Sequence, residues 1–212
     1  MFVPDFYRPP DSSWLVEIIQ NNPLALLTSN GLPGKVPFAT HLPSVPESFD
    51  TEAPDLSGSV LLCHINRQNP HWEALEDGGA VLLTFTGPHG YVTPAIYQTT
   101  PAAPTWNFTS IHVRGTVRKI ASVEETLEVV TATARILEGR FGRDWDLTSS
   151  IGYFRKIVPG VGAFRLHVTG ADGMFKLSQE QSGEVRDRVR CSFAGHPNTR
   201  YQAVADLMDR LP

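Results

Sequence analysis

The sequence holds only two cysteines, Cys63 and Cys191, and their spacing is not that of metal ligands. A disulfide framework and a cysteine-rich zinc site are therefore excluded as the basis of the fold. No apolar run approaches the length of a membrane span, and no apolar N-terminal segment precedes a cleavage site. We expect a soluble, cytoplasmic protein with reduced thiols and no membrane partner.

Positive charge is also scarce, because 18 Lys and Arg residues stand against 22 Asp and Glu residues, for a net charge of −4. Binding to nucleic acid by general phosphate neutralisation is not favoured at this charge. The segment "EVRDRVR" is mixed in charge and does not resemble a basic recognition helix. We therefore expect no nucleic-acid partner.

The common catalytic templates are missing as well. There is no G-x-S-x-G elbow, no phosphate-binding glycine loop, no H-E-x-x-H pair and no G-x-G-x-x-G after a strand. The chain has no internal repeat and no low-complexity segment. With 212 residues, 41% of them hydrophobic, it is long enough to bury the core of one domain. Because no catalytic motif is present, the candidate functional residues must be sought among individual polar side chains.

Short apolar runs separated by tight turns predict antiparallel strands. The strand signals are "LALLTS", "KVPFATHLP", "SVLLCHIN", "AVLLTFTG" and "TWNFTSIHVRGTVRKI", followed by a hairpin in "GAFRLHVTGADGMFKLSQ" that turns at "GADG". The stretches "NGLPG" and "PHGY" predict turns, and residues 43–58 and "TPAIYQTTPAAP" predict loops because they are rich in proline.

Helices are marked by their capping residues. Asp11 precedes an amphipathic helix, Asn69 and Pro70 begin a short one that "GG" ends, and Ser122 with Glu125 forms a capping box. The helix after that box is predicted to bury Leu127, Val130, Ala134 and Leu137. These elements predict a mainly β protein with peripheral helices, an antiparallel Greek-key barrel. We expect a single domain over 1–212 with a helical C-terminal tail at about 184–212.

The stretch "LLCHINRQNPHWEAL" raises the main functional question, because an apolar strand ends in His64 where packing needs no imidazole. One interpretation is a strand-end histidine bonded to a carbonyl. The other is an axial ligand to a haem iron or a contact to a flavin. Cys63 points to the opposite face and is predicted to be a small buried hydrophobe. His71 lies in the first turn of a helix and is predicted to be exposed.

Other side chains could complete a cofactor site. Arg67, Arg114 and Lys176 could clamp an anion or form surface ion pairs. His41 and His112 are further candidates, each with an equally good structural interpretation. A flat cofactor could stack on one face of the longest strand, although such aromatics more often belong to a core; that face carries Trp106, Phe108, His112 and Arg114.

The order of several phrases resembles the PaiB family, whose members are described as FMN-binding negative transcriptional regulators. The phrases are "MFVPDFYRP", "THLP", "HINRQNPHW", "FTGPHGYVTP", "PTWNF", "HVRG", "VGAFRLHV" and "FKLSQ". This resemblance covers nearly the whole chain. It implies the split β-barrel of pyridoxamine-phosphate-oxidase relatives and a homodimer with cofactor sites at the subunit interface. One function that the resemblance implies is FMN binding, in a flavin oxidoreductase or a transcriptional regulator.

Departures from the usual family pattern resemble a narrower subgroup, the haem-dependent piperazate synthases. Phe175 replaces the tryptophan and Glu180 the asparagine of the tail motif, and the loop before "PTWNF" is short. The subgroup uses haem b to convert N5-hydroxyornithine to piperazic acid and usually accompanies nonribosomal-peptide pathways. Haem-storage and haem-degrading proteins of the same barrel are a further alternative.

The resemblance also implies roles for single residues. "CHINRQNP" matches the family stretch that contains the histidine, so His64 is the implied axial ligand, with Cys63 in place of a glycine. The reaction removes one water, forms an N–N bond and needs no net redox change. Arg114 or Lys176 would anchor the substrate carboxylate or the haem propionates. The remaining candidates are His41 and His112 for the base, and Thr105, Asn107, Thr109 and Tyr97 for the polar ends of the substrate.

Overall fold

Six runs of apolar or alternating residues form the strands of the computed structural model, which describes residues 1–31 and 35–211. Among these residues the strands are β1 (Leu24–Ser29), β2 (Phe38–Ser48), β3 (Val60–Asn66), β4 (Ala80–Val92), β5 (Thr105–Lys119) and β6 (Val161–Lys176). They close into a barrel in the order β1-β2-β3-β6-β5-β4.

The strand order is that of a Greek key. β1, β2 and β3 are consecutive antiparallel neighbours, with Leu27 opposite Thr40 and Cys63 opposite Ser44. β4 then returns to the other side of β1, where Leu83 pairs with Leu27. Three neighbouring strands with the fourth beside the first define this motif. The predicted fold class, an antiparallel Greek-key barrel with peripheral helices, is confirmed.

In the described part of the chain six α-helices accompany the strands: α1 (Ser12–Asn21), α2 (Pro70–Ala74), α3 (Val123–Phe141), α4 (Ile151–Ile157), α5 (Gly183–Ala194) and α6 (Thr199–Asp209). The predicted caps are present. Asp11 Oδ1 accepts from the backbone N–H of Ser13 at 2.8 Å, and Ser122 Oγ accepts from that of Glu125 at 3.2 Å. Each satisfies a helix N–H that has no partner within the helix. α5 and α6 lie in the region for which a helical tail is predicted.

The chain divides into two compact units. The first unit comprises Met1–Asn21, Thr86–Ile111 and Asp172–Pro212, and the second comprises Asn22–Phe85 and His112–Ala171. In the first unit Trp14 meets Phe175 edge to face, with ring centroids 5.5 Å apart. In the second unit α3 covers the outer side of the sheet through a buried apolar cluster of Val45, Leu62, Ile120, Val129 and Ala163.

Two predicted turns lie inside strands. "PHGY" belongs to β4, and the "GADG" segment belongs to the uninterrupted β6, so both turn predictions are wrong. The glycines serve close packing instead. A Cβ on Gly90 would lie 2.9 Å from the rings of Phe193 and Tyr201, and one on Gly173 would lie 2.3 Å from Leu15 Cδ2. Glycine is required where another group approaches the backbone, and such a site has the same sequence signature as a turn.

Three boundaries or faces also differ from the prediction. β2 runs on to Ser48 and takes up part of the predicted 43–58 loop, with a register shift between Pro46 and Ser48 that accommodates proline in the strand. α2 ends at Ala74, well before the glycine pair. The described part of α3 buries Thr126, Val129, Thr131 and Thr133, whereas the four predicted core residues are half-buried. The predicted "NGLPG" turn includes residues 32–34, which lie outside the described residues.

Within 1–31 and 35–211, none of the helices combines the length and the apolarity needed to cross a membrane.

Candidate functional site

His64 lies on the outer face of β3, at the edge of a pocket of about 380 Å³. Leu61, Cys63 and Ile65 alternate with it and are buried in the barrel. Opposite His64, β6 contributes the small Ala163. The pocket lies where the end of β3 meets the end of α4 and the start of β6, and its lining is His64, Ile65, Asn66, Gln68, Ile157, Gly160 and Val161. The histidine thus adjoins a space that a ligand can enter.

The imidazole of His64 has an unusual electrostatic setting. Its Nδ1 is buried and has no hydrogen-bond partner in the part of the chain that the structure describes. Burial lowers the pKa of His64 below its ordinary value, so the ring is neutral at neutral pH. A neutral imidazole keeps a lone pair for a metal. Nδ1 is enclosed by the protein, so a ligand in the pocket would meet the other nitrogen, Nε2, which is not among the buried unpartnered atoms. The donor therefore fits a haem iron, which needs one protein nitrogen on its proximal side.

Arg67 is fixed beside this pocket. Its backbone N–H donates to Gly160 O at 2.9 Å, and its Nε donates to Val161 O at 2.8 Å, both of which belong to pocket-lining residues. The side chain is exposed, with its guanidinium carbon 5.9 Å from the centre of the Trp72 ring. Because Arg67 Nε already donates to Val161 O, the edge formed by its two terminal nitrogens is the one that could bind a carboxylate. Its assignment to a cofactor anion stays a prediction.

Cys63 is buried, as the sequence predicts. Its thiol donates to Ser44 Oγ at 3.3 Å, and burial raises the pKa of Cys63 to about 12 despite this contact. The protonated thiol lies on the face opposite His64 and is no metal ligand at neutral pH.

His71 is buried, with 1% of its surface exposed, so the prediction that it is exposed is wrong. Its Nδ1 lies 2.9 Å from Thr40 Oγ1 and its Nε2 2.9 Å from Ser29 Oγ. The ring stacks on Phe38 with 5.2 Å between centroids. The Asn69 side chain caps α2 by accepting from the backbone N–H of His71. The first turn of α2 faces β1 and β2, and the spacing of residues in the sequence does not reveal this orientation. Both nitrogens are satisfied, and the residue has a structural role.

The remaining candidates of the second unit lie on strands. His41 is exposed on β2, opposite Leu26, and His112 is half-buried on β5. Arg114 is exposed, and its side chain lies near that of Asp55. A Cβ added to Gly170 would lie 3.0 Å from Asp55 Oδ2 and 3.1 Å from Arg114 Nη2, so both side chains approach the same point. Hydrogen bonds from Ser57 lower the pKa of Asp55, and the charge of Arg114 lowers it further. Arg114 therefore already has an anionic neighbour.

In the first unit the start of β5 presents two different faces. Trp106 is 52% exposed, with its ring 5.8 Å from that of Tyr91 and 6.1 Å from that of His89. Phe108 is half-buried on the same side. This aromatic side is the one predicted to meet a flat cofactor, and it is open in the single chain.

Asn107 and Thr109 occupy the opposite face of β5 and are fully buried. Asn107 Nδ2 donates to Ser178 Oγ at 2.9 Å, and Ser178 Oγ donates back to Asn107 Oδ1 at 3.2 Å. Thr109 Oγ1 donates to Pro88 O at 3.3 Å. These bonds give both side chains structural partners, and their part in catalysis stays a prediction.

Lys176 belongs to a second polar group in the first unit. Its Nζ donates to Thr105 Oγ1 and lies 5.8 Å from the centre of the Tyr7 ring. Burial, and after it the negative charge of Glu180, raise the pKa of Tyr7 and of Tyr97. The sequence prediction included Lys176, Thr105 and Tyr97 but missed Tyr7 and Glu180. Tyr7 lies in the quoted phrase "MFVPDFYRP" and Glu180 directly follows the phrase "FKLSQ". Only the fold shows that these distant segments meet, through Tyr7 and Lys176.

Comparison with known proteins agrees with this fold. A family model described as "Putative FMN-binding domain" matches residues 1–170. Over 213 residues the chain is 25% identical to the protease synthase and sporulation protein PAI 2 of Bacillus subtilis, covering 99% of this chain and 97% of that protein. The predicted resemblance to the FMN-binding, PaiB-like family is confirmed.

Solved structures show the same barrel. The flavocytochrome Anf3 from Azotobacter vinelandii superposes with a TM-score of 0.58 at 16% identity, covering 86% of this chain and 75% of that one. The FAD and heme binding protein from Mycobacterium smegmatis gives a TM-score of 0.57 at 16% identity, with 85% and 78% coverage. At this level of identity the likeness establishes the fold alone.

Proposed function

We propose that this chain, which belongs to the FMN-binding domain family, is a haem-dependent piperazate synthase that closes N5-hydroxyornithine to piperazic acid. The observation that carries the choice of haem is the neutral imidazole of His64 at the edge of the 380 Å³ pocket, a ring to which no group of the described residues is hydrogen-bonded. The choice of reaction rests on the resemblance of the tail motif and of the loop before "PTWNF" to the piperazate synthase subgroup. One solved structure of the same barrel is named as a flavocytochrome and another as a FAD and heme binding protein, which supports the choice between haem and flavin for this chain.

The described residues fit such a group. His64 would hold the haem iron through its imidazole, and the free edge of the Arg67 guanidinium would supply a charge for a propionate at the same pocket. Haem iron, when bound, supplies a Lewis acid that weakens the N–O bond of a hydroxylamine. We place the protein in a homodimer, supported by the exposed apolar surface of the single chain, which includes Trp106, Phe2 and Phe6.

The protein's own task follows from the atom balance of the reaction. The α-nitrogen forms a bond to N5, the N5–O bond breaks, the α-amine gives up a proton and the oxygen leaves as water. No oxidant or reductant enters. The chain must therefore hold the two ends of a flexible amino acid together, which contributes several kcal/mol to the barrier reduction, and it must take up one proton. His112 and His41 are the proposed acceptors.

A second candidate function is FMN binding, as a flavin oxidoreductase or a regulator. The family match over residues 1–170 favours it, and so does the open aromatic side of β5 around Trp106, which suits a flat ring. Lys176 would then pair with an anionic group of the flavin.

The visible spectrum of the purified protein separates the two functions. A Soret band on expression or after reconstitution with hemin is expected, and a flavin spectrum contradicts the proposal. The haem-loaded protein is then incubated anaerobically with N5-hydroxyornithine, and piperazic acid is measured by mass spectrometry. His64→Ala is expected to lose haem and product, whereas His167→Ala, an exposed histidine on β6, keeps both. Product that forms only with added reductant or oxygen rules out the redox-neutral reaction.

A further inference from the structure

A serine, a histidine and a threonine form a hydrogen-bonded row within the second unit. Ser29 Oγ lies 2.9 Å from His71 Nε2, and Thr40 Oγ1 lies 2.9 Å from His71 Nδ1. Ser29 is the last residue of β1, Thr40 lies on β2, and His71 belongs to the first turn of α2. Three separate elements therefore bring together a hydroxyl, an imidazole and a second hydroxyl.

The imidazole of His71 is held in one orientation. Its ring is buried and stacks on Phe38 with an angle of 20° between the ring planes. Asn69 Nδ2 donates to Thr40 Oγ1 at 3.5 Å, which further orients the threonine oxygen that faces Nδ1. The contacts that stabilise His71 thus also fix the direction of Nε2 towards Ser29.

This imidazole can take up a proton. Burial lowers the pKa of His71, and the groups that contact its ring, Ser29, Thr40 and Phe38, are uncharged. The ring is therefore neutral at neutral pH, with one N–H and one lone pair. When the proton is on Nδ1 and is donated to Thr40, the lone pair of Nε2 accepts from the Ser29 hydroxyl. A hydroxyl bonded to a base that a third side chain orients is the arrangement of an activated nucleophile.

Ser29 also borders a second pocket. The residue is half-buried and lines a space of about 820 Å³, which is the size of a small-molecule site. This pocket shares no lining residue with the pocket beside His64, so its chemistry does not depend on haem. None of its described lining residues is a lysine or an arginine. The lining combines apolar side chains with two carboxylates, and it includes Phe38, Pro70, Leu75, Val81, Glu73 and Glu76. A ligand with an apolar group and no negative charge fits such a lining.

We propose that Ser29 is a nucleophile activated by His71, and that this pocket binds carboxylic esters with an apolar acyl group and an uncharged or positively charged alcohol. Ser29 Oγ forms a bond to the carbonyl carbon, and His71 Nε2 takes up the hydroxyl proton. The ester C–O bond then breaks, and the same proton passes to the departing alcohol oxygen. Water repeats these steps on the acyl-serine, which releases the carboxylic acid and restores the hydroxyl. Turnover is slow, because the neutral Thr40 stabilises an imidazolium less than a carboxylate would.

A fluorophosphonate probe tests the nucleophile, because a serine activated by a base forms a bond to its phosphorus and releases fluoride. The full-length protein, with and without haem, is incubated with the probe at pH 7.5, and the modified residue is identified by peptide mass spectrometry. We expect label on Ser29 and none in Ser29→Ala. The matched control is Ser192→Ala, at an exposed serine on α5, which keeps the label. Label elsewhere with Ser29 unmodified would overturn the proposal.

The pH dependence of labelling tests the base in the wild-type protein. Only the neutral imidazole accepts the proton, so the rate should rise with pH below the ordinary histidine pKa and stay constant above about pH 7. A serine that reacts with the help of hydroxide alone would keep gaining rate over the whole range, and that result would contradict the proposal.

Two variants separate the base from a structural histidine. His71→Gln is expected to slow labelling by about 10²–10⁴-fold and to abolish the rise with pH. Thr40→Val keeps the imidazole but removes the acceptor of Nδ1, so it should slow labelling and shift the midpoint of the pH profile. Circular dichroism confirms the fold of each variant. Labelling of folded His71→Gln at the wild-type rate would show that His71 is not the base.

Ester hydrolysis tests the pocket. Three aryl butyrates differ only in the para group of the phenol, which is neutral, a trimethylammonium or a carboxylate. We expect Ser29-dependent hydrolysis of the first two and a kcat/KM roughly tenfold lower for the third, because Glu73 and Glu76 repel it. Glu73→Gln combined with Glu76→Gln should narrow the gap between the cationic and the anionic ester. If this gap is the same in the double variant and the wild type, the ester does not bind in this pocket.

Discussion

His71 Nδ1 lies 2.9 Å from Thr40 Oγ1, whereas the same atom of His64, seven residues earlier, is buried without a partner among the residues that the structure describes. The second nitrogen of His71 is also satisfied, by Ser29 Oγ. One histidine of the "LLCHINRQNPHWEAL" stretch is therefore complete within the protein and the other is not. This difference separates a structural imidazole from one that is ready for a ligand.

Replacement of His64 by an apolar side chain is expected to stabilise the haem-free protein. The unpartnered Nδ1 carries a desolvation cost of about 1–3 kcal/mol, which His64→Leu removes. We expect the free energy of unfolding to rise by about 1 kcal/mol, measured by urea denaturation at pH 7.5. The exposed His167→Leu serves as the control and should change it by less than about 0.5 kcal/mol. A clear loss of stability in His64→Leu would show that the imidazole already has a partner.

The stability contribution of His71 is expected to depend on pH. Burial lowers the pKa of His71 below its ordinary value of 6.5, so the unfolded chain takes up this proton first as the pH falls. Its contribution is complete above about pH 6.5 and declines as the pH falls towards the folded pKa.

His71→Gln tests this dependence. The variant loses buried hydrogen bonds and should be less stable than the wild type by about 1–3 kcal/mol at pH 8. The gap should narrow at pH 5.5, because only the wild type pays for keeping the imidazole neutral. Urea denaturation of both proteins at the two pH values measures the change. A gap of the same size at both pH values would be inconsistent with a depressed pKa.

Gly162 is expected to tolerate no side chain. A Cβ at this position would lie 2.4 Å from Cδ2 of the Trp72 indole. Gly162→Ala must displace the ring and is expected to cost about 1–3 kcal/mol of stability, measured by thermal or urea unfolding. Gly152→Ala on α4 meets nothing within 4 Å and should be neutral or slightly stabilising, because alanine favours a helix. If both variants have the same stability, the close approach of Trp72 is not rigid.

Asn107 is expected to be important for stability. Its amide and the hydroxyl of Ser178 are each fully buried and each bonded to the other. Asn107→Ala leaves the serine unpaired and should lower the free energy of unfolding by about 1–3 kcal/mol. Ser110→Ala, on the outer face of the same strand, should change it by less than about 0.5 kcal/mol. Equal stability of Asn107→Ala and the wild type would show that water replaces the amide.

The features that local rules govern agree best with the prediction. Strands β1 to β5 and the caps at Asp11, Asn69 and Ser122 depend on residues a few positions apart, whereas β6 is one strand where a hairpin is predicted. Turn predictions based on glycine failed at "PHGY" and "GADG", because the Cβ clash that requires Gly90 or Gly173 comes from a distant ring or side chain.

The sequence by itself determined the barrel class, since alternation and capping act within single elements, and it singled out His64 as an imidazole without a packing role. Only the tertiary structure decided that His71 is buried with two partners, that Nδ1 of His64 has none among the described residues, and that Tyr7 lies beside Lys176 from the other end of the chain. The physical reason is that burial and hydrogen-bond partners are set by elements remote in sequence, which no local pattern encodes.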